Sequence, residues 1–545
     1  MNWFRTITLV VFLLLPALSH AQIADFIKVS VVDFSGGQYS KPYADKIADN
    51  QGAIIANAII NVPGQLISRN GQSLFNVDTN SSAFQGIGQF IPDQNSLYLM
   101  AASAPSVVRS LPNSTNWTIV NTGHNITSGI PVEFIQANSN LFVFNGTDQT
   151  AWYDGTDYTV STGWPTSPPT AKTAEWMNNY LFMAGNTTNP DWIFVSENLT
   201  PTSFPSNTVI KVNTGDGQPI IRLRSYRTGD LVAYKSKSIW DLNISGTDST
   251  CSPQPICQWS LSPIVTDVGT PAPRSVVSLG NDQWFLSSPP YAIRSLTRSQ
   301  FDKTFINMMS QPIQDIFDGT SLTQPTLNTV QVSKAAAVYF DNKYIIAIPT
   351  GSSTVNNFVC VYDFITSSWS TITGWYPAGW QVFNNNLYYI DANDGRVVQC
   401  FTGTIGDIGT VIPSTSDPTV GIEFDYISKI FDFGNPDNYK LMDSLILEFQ
   451  PTGNYSATIN LNFDNSGWQL AGTIPLTANA PTLPQVLPFV LNSPGITYKT
   501  LQLSKFQRFK NVQVQVTMDG VTQQAILQKV TILARLQPWN RMDNN

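Results

Sequence analysis

Asn178-Asn179-Tyr180-Leu181-Phe182-Met183, followed after a turn by Asp191-Trp192-Ile193-Phe194-Val195, is the stretch whose reading decides the fold. Two asparagines that tolerate left-handed backbone make a tight turn, and the run behind them is rich in strand-forming aromatic and aliphatic side chains. A second turn and a second strand complete a β-hairpin. The unit recurs from Asn95-Ser96-Leu97-Tyr98-Leu99-Met100 onward. It returns as Ser139-Asn140-Leu141-Phe142-Val143-Phe144 with Ala151-Trp152-Tyr153-Asp154-Gly155, and as Asp230-Leu231-Val232-Ala233-Tyr234 with Ser238-Ile239-Trp240-Asp241. Asn281-Asp282-Gln283-Trp284-Phe285-Leu286 with Tyr291-Ala292-Ile293 follows. The last two are Asn342-Lys343-Tyr344-Ile345-Ile346 with Phe358-Val359-Cys360-Val361-Tyr362, and Asn385-Asn386-Leu387-Tyr388-Tyr389-Ile390 with Arg396-Val397-Val398.

Starts about 40 to 60 residues apart match the period of four-stranded propeller blades. A lone hairpin cannot hide its apolar face, so neighbours must stack, and closing the stack into a ring removes exposed edges. A sandwich array or a β-helix is the competing arrangement, and its shorter repeat disfavours it. Near Ile412-Pro413-Ser414-Thr415-Ser416-Asp417-Pro418 the pattern changes to that of a linker. Beyond it Lys440 to Phe449, Ala457 to Phe463, Val486 to Leu491, Val512 to Met518 and Ala525 to Leu536 read as longer antiparallel strands. The expectation is an all-β chain: a β-propeller of about seven repeats over residues 22–412, then a small antiparallel β-sandwich over 419–545. Helical periodicity is nearly absent; Asp45 to Asn57 is the best candidate, as a short helix or a turn.

Charged residues make up 12% of the 545, about half the usual share of roughly 25%. A neutral polar surface suits secreted and virion β-proteins, whose large interfaces avoid burying unpaired charge. The net charge of −8 and the absence of a Lys/Arg cluster interleaved with aromatics argue against a nucleic-acid grip. An acidic wall repels phosphate, which suits a conduit better than a clamp.

Residues 1–21 read as a secretory signal peptide. Arg5 supplies the positive region, Ile7 to Leu18 the apolar one, and Ser19-His20-Ala21 the cleavage site before Gln22. After its removal no apolar run of about 18 residues remains, so no membrane span is expected. Of the four cysteines, Cys251 and Cys257 flank Ser-Pro-Gln-Pro-Ile closely enough for a local disulfide. Cys360 and Cys400 lie in apolar strand patterns, paired with each other or simply buried. With His124 the only histidine after signal removal, a Cys/His metal site is not expected.

Enzyme motifs are poorly supported. The chain has no Gly-x-Ser-x-Gly elbow, no phosphate-binding Gly-x-x-x-x-Gly-Lys-[Ser/Thr] loop and no His-Glu-x-x-His. A Ser-His-Asp triad would have to use His124, which sits in the turn-like Thr122-Gly123-His124-Asn125. Asp241, Asp282 and Asp363 occupy hairpin positions where Asp serves turns. Asp391-Ala392-Asn393-Asp394-Gly395 looks like a calcium-loop start, but Thr402 stands where the bidentate Glu belongs, so turn chemistry is favoured. No catalytic, cofactor or metal residue is assigned.

Three segments together resemble phage tail proteins of the nozzle or tail-tube-B type, also called tail stabilisation proteins. The first is Asp33-Phe34-Ser35-Gly36-Gly37, then Ala48-Asp49-Asn50-Gln51-Gly52, Asn57, Pro63-Gly64 and Arg69-Asn70-Gly71. The second is Asp267-Val268-Gly269-Thr270-Pro271-Ala272-Pro273-Arg274-Ser275-Val276-Val277, with Asn281 and Phe285-Leu286-Ser287. The third is Asn386-Leu387-Tyr388-Tyr389 with Asp394-Gly395-Arg396-Val397, leading to Ile430-Phe431-Asp432-Phe433-Gly434. The resemblance implies a propeller with an attached β-domain in a homo-oligomeric virion ring beneath the portal and adaptor. Such a ring carries tail fibres or the tail tip and lets genome DNA pass without sequence-specific binding. It implies no catalytic residues and no cofactors. A signal peptide and a Cys251–Cys257 bridge depart from that pattern. They favour the alternative, an exported β-propeller, secreted or periplasmic, that binds a glycan or protein ligand at a cell surface. A secreted propeller hydrolase is a third reading.

Overall fold

The computed structural model describes residues 26–60, 64–76, 83–110, 116–246, 250–253, 255–297, 308–393, 396–402, 406–408, 420–450, 456–476, 497–502, 508–520 and 524–537. The signal peptide, the linker at 412–418 and the expected strand at 486–491 lie outside the described residues.

Seven antiparallel sheets follow one another along the chain as blades I to VII, at 86–119, 133–160, 173–211, 220–265, 277–295, 336–373 and 377–400. The first strands of the blades stand side by side in chain order, and that of blade VII (Pro377–Phe383) returns against that of blade I (Gly86–Asp93). The ring is therefore closed, a seven-bladed β-propeller. Blade V has three strands among the described residues. After it, a short α-helix, Gln314–Asp318, packs into the core between blades V and VI. Blade VII takes its fourth strand from Gln72–Asn76, near the other end of the propeller sequence. That strand ties the two chain ends of the ring together through backbone hydrogen bonds.

The repeats visible in the sequence are the second and third strands of each blade. The reason is burial on both faces. Leu141 and Val143 of one strand pack toward blade I, while Phe142 and Phe144 pack toward blade III. Alternate side chains of every second strand thus enter different inter-blade cores, and the run reads as continuously apolar. Each of the seven junctions has its own buried cluster. The asparagine-rich turns join first to second strands, with both turn residues at positive φ in Asn178–Asn179, Asp341–Asn342 and Asn384–Asn385. These are the primed hairpin turns that match strand twist.

The sandwich follows the propeller but is not confined to residues after 419. One sheet holds Thr497–Gln502, Lys440–Phe449, Ile526–Leu536, Leu66–Ser68 and Ala58–Ile59, with Phe26–Val31 also pairing on Ile526–Leu536. The other holds Gln51–Ala56, Phe424–Ser428, Val512–Met518, Ser456–Phe463 and Trp468–Pro475. A single apolar core including Val31, Phe34, Ile55, Leu445, Ile459 and Val514 lies between them. The boundary expected from sequence put residues 22–68 in the propeller; their strands pair instead in the sandwich. Asp45 to Asn57 likewise ends as turns and a strand. Local patterning names a strand but not its sheet, and these short segments find most of their long-range partners in the sandwich.

Gln51–Ala56 also runs parallel to the last strand of blade VI, Ser368–Thr373, with Ala56 opposite Thr371. The second sheet of the sandwich is thus continuous with a propeller blade.

Candidate functional site

Two buried polar nodes organise the molecule, one on the propeller axis and one where propeller and sandwich join. On the axis, Arg274 leaves a short turn, Pro273–Ser275, that leads into blade V. Its Nε donates to Glu133 Oε1 at 2.6 Å, Nη1 to the carbonyl of Ala378 at 3.0 Å, and Nη2 to the carbonyls of Gln85 at 3.2 Å and Val132 at 3.0 Å. Those partners belong to blades II and VII and to the segment entering blade I, across the ring from blade V. The guanidinium therefore spans the axis and plugs it.

Glu133 also accepts from Arg222 Nη1 at 3.1 Å. Arg224, two residues on, lies 3.6 Å from Glu175 Oε2, and Glu175 Oε1 accepts from the backbone N–H and hydroxyl of Ser225. These groups sit on first strands because first strands line the axis. Burial disfavours the charge of Glu133, but the guanidiniums of Arg274 and Arg222 outweigh it and hold its pKa at about 2. Burial, with the like charge of Arg222, lowers Arg224. Where the first strands begin, the axis thus carries an ion network still partly open to solvent, with Arg274 and Glu133 side chains 17% and 19% exposed.

At the second node Arg69, fully buried, forms an ion pair with Asp407. Its Nε donates to Asn57 Oδ1 at 3.0 Å, its Nη2 to the carbonyl of Thr373 at 3.4 Å, and its guanidinium lies 4.5 Å from the ring of Trp375. Asn57, at φ 55°, donates through Nδ2 to Thr373 Oγ1 and to the carbonyl of Glu423, both at 2.8 Å. Thr373 belongs to blade VI, and Glu423 precedes the sandwich strand Phe424–Ser428. The asparagine and arginine therefore stitch the two domains. Glycines make this close fit sterically feasible. A Cβ on Gly37 would lie 2.4 Å from that of Ser368, and one on Gly71 would lie 1.9 Å from the carbonyl oxygen of Gly406.

The residues weighed from sequence as chemical candidates are scattered. Cys251 and Cys257 are bonded, with Cα atoms 5.8 Å apart, in the loop before the last strand of blade IV. Cys360 and Cys400 are unpaired and lie in the V–VI and VI–VII cores respectively. His124 is exposed, its ring 6.0 Å from that of Tyr158. Asp282 accepts from Trp284 Nε1 and Ser295 Oγ, and Asp363 from the backbone N–H of Ile365; both are structural. Asp241 lies in the third strand of blade IV, where burial and Asp230 raise its pKa to about 6. Asp391 accepts from the backbone N–H of Asn393, a turn; Asp394 and Gly395 lie outside the described residues. Among the described residues no group of three His, Cys, Asp or Glu side chains is placed to hold a metal. The two nodes were missed as sites by sequence reasoning, although Asn57, Arg69 and Arg274 all fall within the segments of family resemblance.

No family model matches the chain, and no curated protein matches it. Among solved structures, the WD40 domain of Neurospora crassa Pan2 aligns at 9% identity over 62% of this chain and 96% of that one, with a TM-score of 0.36. YCF48 bound to D1 peptide aligns at 10% identity over 63% and 98%, with a TM-score of 0.34. PorZ of the type-IX secretion system of Porphyromonas gingivalis aligns at 10% identity over 74% and 46%, with a TM-score of 0.38. The class of this chain, a β-propeller fused to a β-sandwich, rests on its own strand pairing.

Proposed function

We propose that the protein is a structural subunit of a multi-copy virion ring, the nozzle or hub of a phage tail, and works by holding partners together. The observation that supports this reading is where the resemblance segments meet. Gly37, Asn57, Arg69 and Gly71 from the first close against blade VI and residues 406–407. Phe34 packs edge-on against Tyr426 at 5.2 Å, and Phe431 from the third segment pairs with Val512. Arg274 from the second plugs the axis. Residues some hundreds of positions apart thus serve one rigid two-domain body, which is what a load-transmitting ring subunit needs. With the axis plugged, DNA would pass through the ring's central opening, between subunits, and the acidic balance suits that. Sister subunits, the portal or adaptor, and tail-fibre or tail-tip proteins are the partners in this reading, with no catalysis and no cofactor. Negative-stain imaging and mass photometry of the purified chain at micromolar concentration test it. Closed rings of uniform size are expected, and a monomer throughout that range refutes it.

The Cys251–Cys257 bond favours a second reading, an exported propeller that binds a glycan or protein ligand at a cell surface, since such bonds persist in oxidising compartments. A mature N-terminus at Gln22, read by mass spectrometry of protein from its native source, is the result expected there.

A further inference from the structure

A cleft of about 1110 Å³ lies beside the domain junction. The loop Ser40–Lys46 and residues 315–323 form one wall; Asp425, Asn462, Asn465, Trp468, Asn511, Gln513 and Gln515 of the sandwich form the other. Neither buried node uses it. Its charged groups are each engaged within the protein, the lysines in ion pairs and Asp315 and Asp425 by neutral donors. Lys41 pairs with Asp318, Lys46 with Asp45 at 3.0 Å, Ser40 donates to Asp315 at 2.6 Å, and Gln515 donates to Asp425 at 3.0 Å. Asn460 in turn donates to Gln515 Oε1 at 3.2 Å, so the Gln515–Asp425 pair is held in one orientation.

What remains for a ligand is a set of side-chain amides beside apolar surface from Ala53, Ile54, Leu322, Ile427 and Ile430. The side-chain amides of Asn465 and Asn511 make no hydrogen bond among the described residues, and Asn462 uses only its Oδ1, toward Gly467. Two large rings stand in solvent at the rim, Tyr43 at 78% exposure and Trp468 at 41%. Trp468 opens the edge strand Trp468–Pro475, and among the described residues no ring contact holds it.

We infer that this cleft is a binding site for a neutral oligosaccharide, whose hydroxyls meet the planar amides and whose apolar ring faces cover Tyr43 and Trp468. A charged ligand would find each lysine and carboxylate already partnered. The volume exceeds that of sites for single drug-sized ligands, about 300 to 1,000 Å³, so several sugar units fit. The inference deepens the second reading above by naming a ligand class and moving the site from the propeller to the sandwich; it is independent of the ring.

Calorimetric titration of the full chain with cellohexaose, maltohexaose and chitohexaose tests it, alongside Tyr43→Ala/Trp468→Ala and the flexible peptide (Gly-Ser-Asn)4. Saturable binding of at least one sugar, weakened about tenfold or more in the double variant, is the expected result. The melting temperature of the variant should stay unchanged, because both rings are solvent-exposed. Three results overturn the inference: no response to any of the sugars, sugar binding that the double variant leaves intact, or a response to the peptide alone. The second of these would retain a glycan-binding propeller while removing this cleft from it.

Discussion

Replacing Arg69 with methionine removes the cation that pairs with Asp407 at the domain junction. The variant keeps an unbranched apolar stem but leaves a buried carboxylate with, among the described residues, one long contact, from Trp375 Nε1 at 3.4 Å. Breaking a buried pair by deleting one partner costs about 3 to 5 kcal/mol, because the orphaned charge stays desolvated. Asn57 Oδ1 loses one donor but keeps the backbone N–H of Thr373 at 3.1 Å, so the added loss there is small. At about 2.1 cal/mol/K per residue, 545 residues have an unfolding entropy of about 1.1 kcal/mol/K. A loss of about 4 kcal/mol then lowers a single cooperative Tm by about 3 to 4 °C. If the junction fails first, the sandwich melts as a unit of about 200 residues, and its transition falls by about 10 °C and separates from that of the propeller. Differential scanning calorimetry of wild type, Arg69→Met, Asp407→Leu and the double variant reads both outcomes. The double variant should recover about 2 to 3 kcal/mol relative to the sum of the singles, since it leaves no buried charge. Shifts below about 1 °C in every transition, or strict additivity, would refute the claim that this pair locks the domains.

Other expectations follow from the same geometry. Glu133→Gln strands Arg274 and Arg222 and should cost about 3 kcal/mol at pH 7. Because the folded pKa of Glu133 is depressed to about 2, its stabilisation is complete above about pH 4.5 and lost as pH falls toward 2; the variant should lack that decline in acid urea titrations. Asp425 behaves oppositely. Burial raises it to about 6 despite the Gln515 hydrogen bond, so its charge costs stability as pH rises from about 4 to 6. Asp425→Asn should therefore be more stable than wild type at pH 8, by up to about 2 kcal/mol, and no different at pH 3.5. Opening the Cys251–Cys257 loop with reductant should cost about 2 kcal/mol, from its short span. Cys360 and Cys400, whose thiols burial pushes up, should resist iodoacetamide until the protein unfolds.

The seven blades were legible because each second strand is buried on both faces, which forces an unbroken apolar run such as Leu181-Phe182-Met183 behind an Asn-Asn turn. Strand existence in the C-terminal region was legible for the same local reason, with Lys440–Phe449 and Val512–Met518 falling where the pattern placed them. First and fourth strands were not. Glu133–Ala137 carries a charge on the axis, and Gln72–Asn76 is polar and lies far in sequence from Val397–Cys400, its partner. Closure by that strand, and the capture of Phe26–Val31 and Gln51–Ala56 by the sandwich, depend on pairings between distant segments, to which local period is blind.

The sequence by itself determined the fold class, the number of repeats and the position of the Cys251–Cys257 loop, since these depend on neighbours a few residues apart. Only the tertiary structure decided the domain membership of residues 26–68, the plugged axis and the amide-lined cleft. Arg69 and Arg274 look like ordinary polar residues in the chain. Their roles arise when folding brings Asp407, Trp375, Glu133 and Ala378 around them, where a low dielectric makes each pairing count.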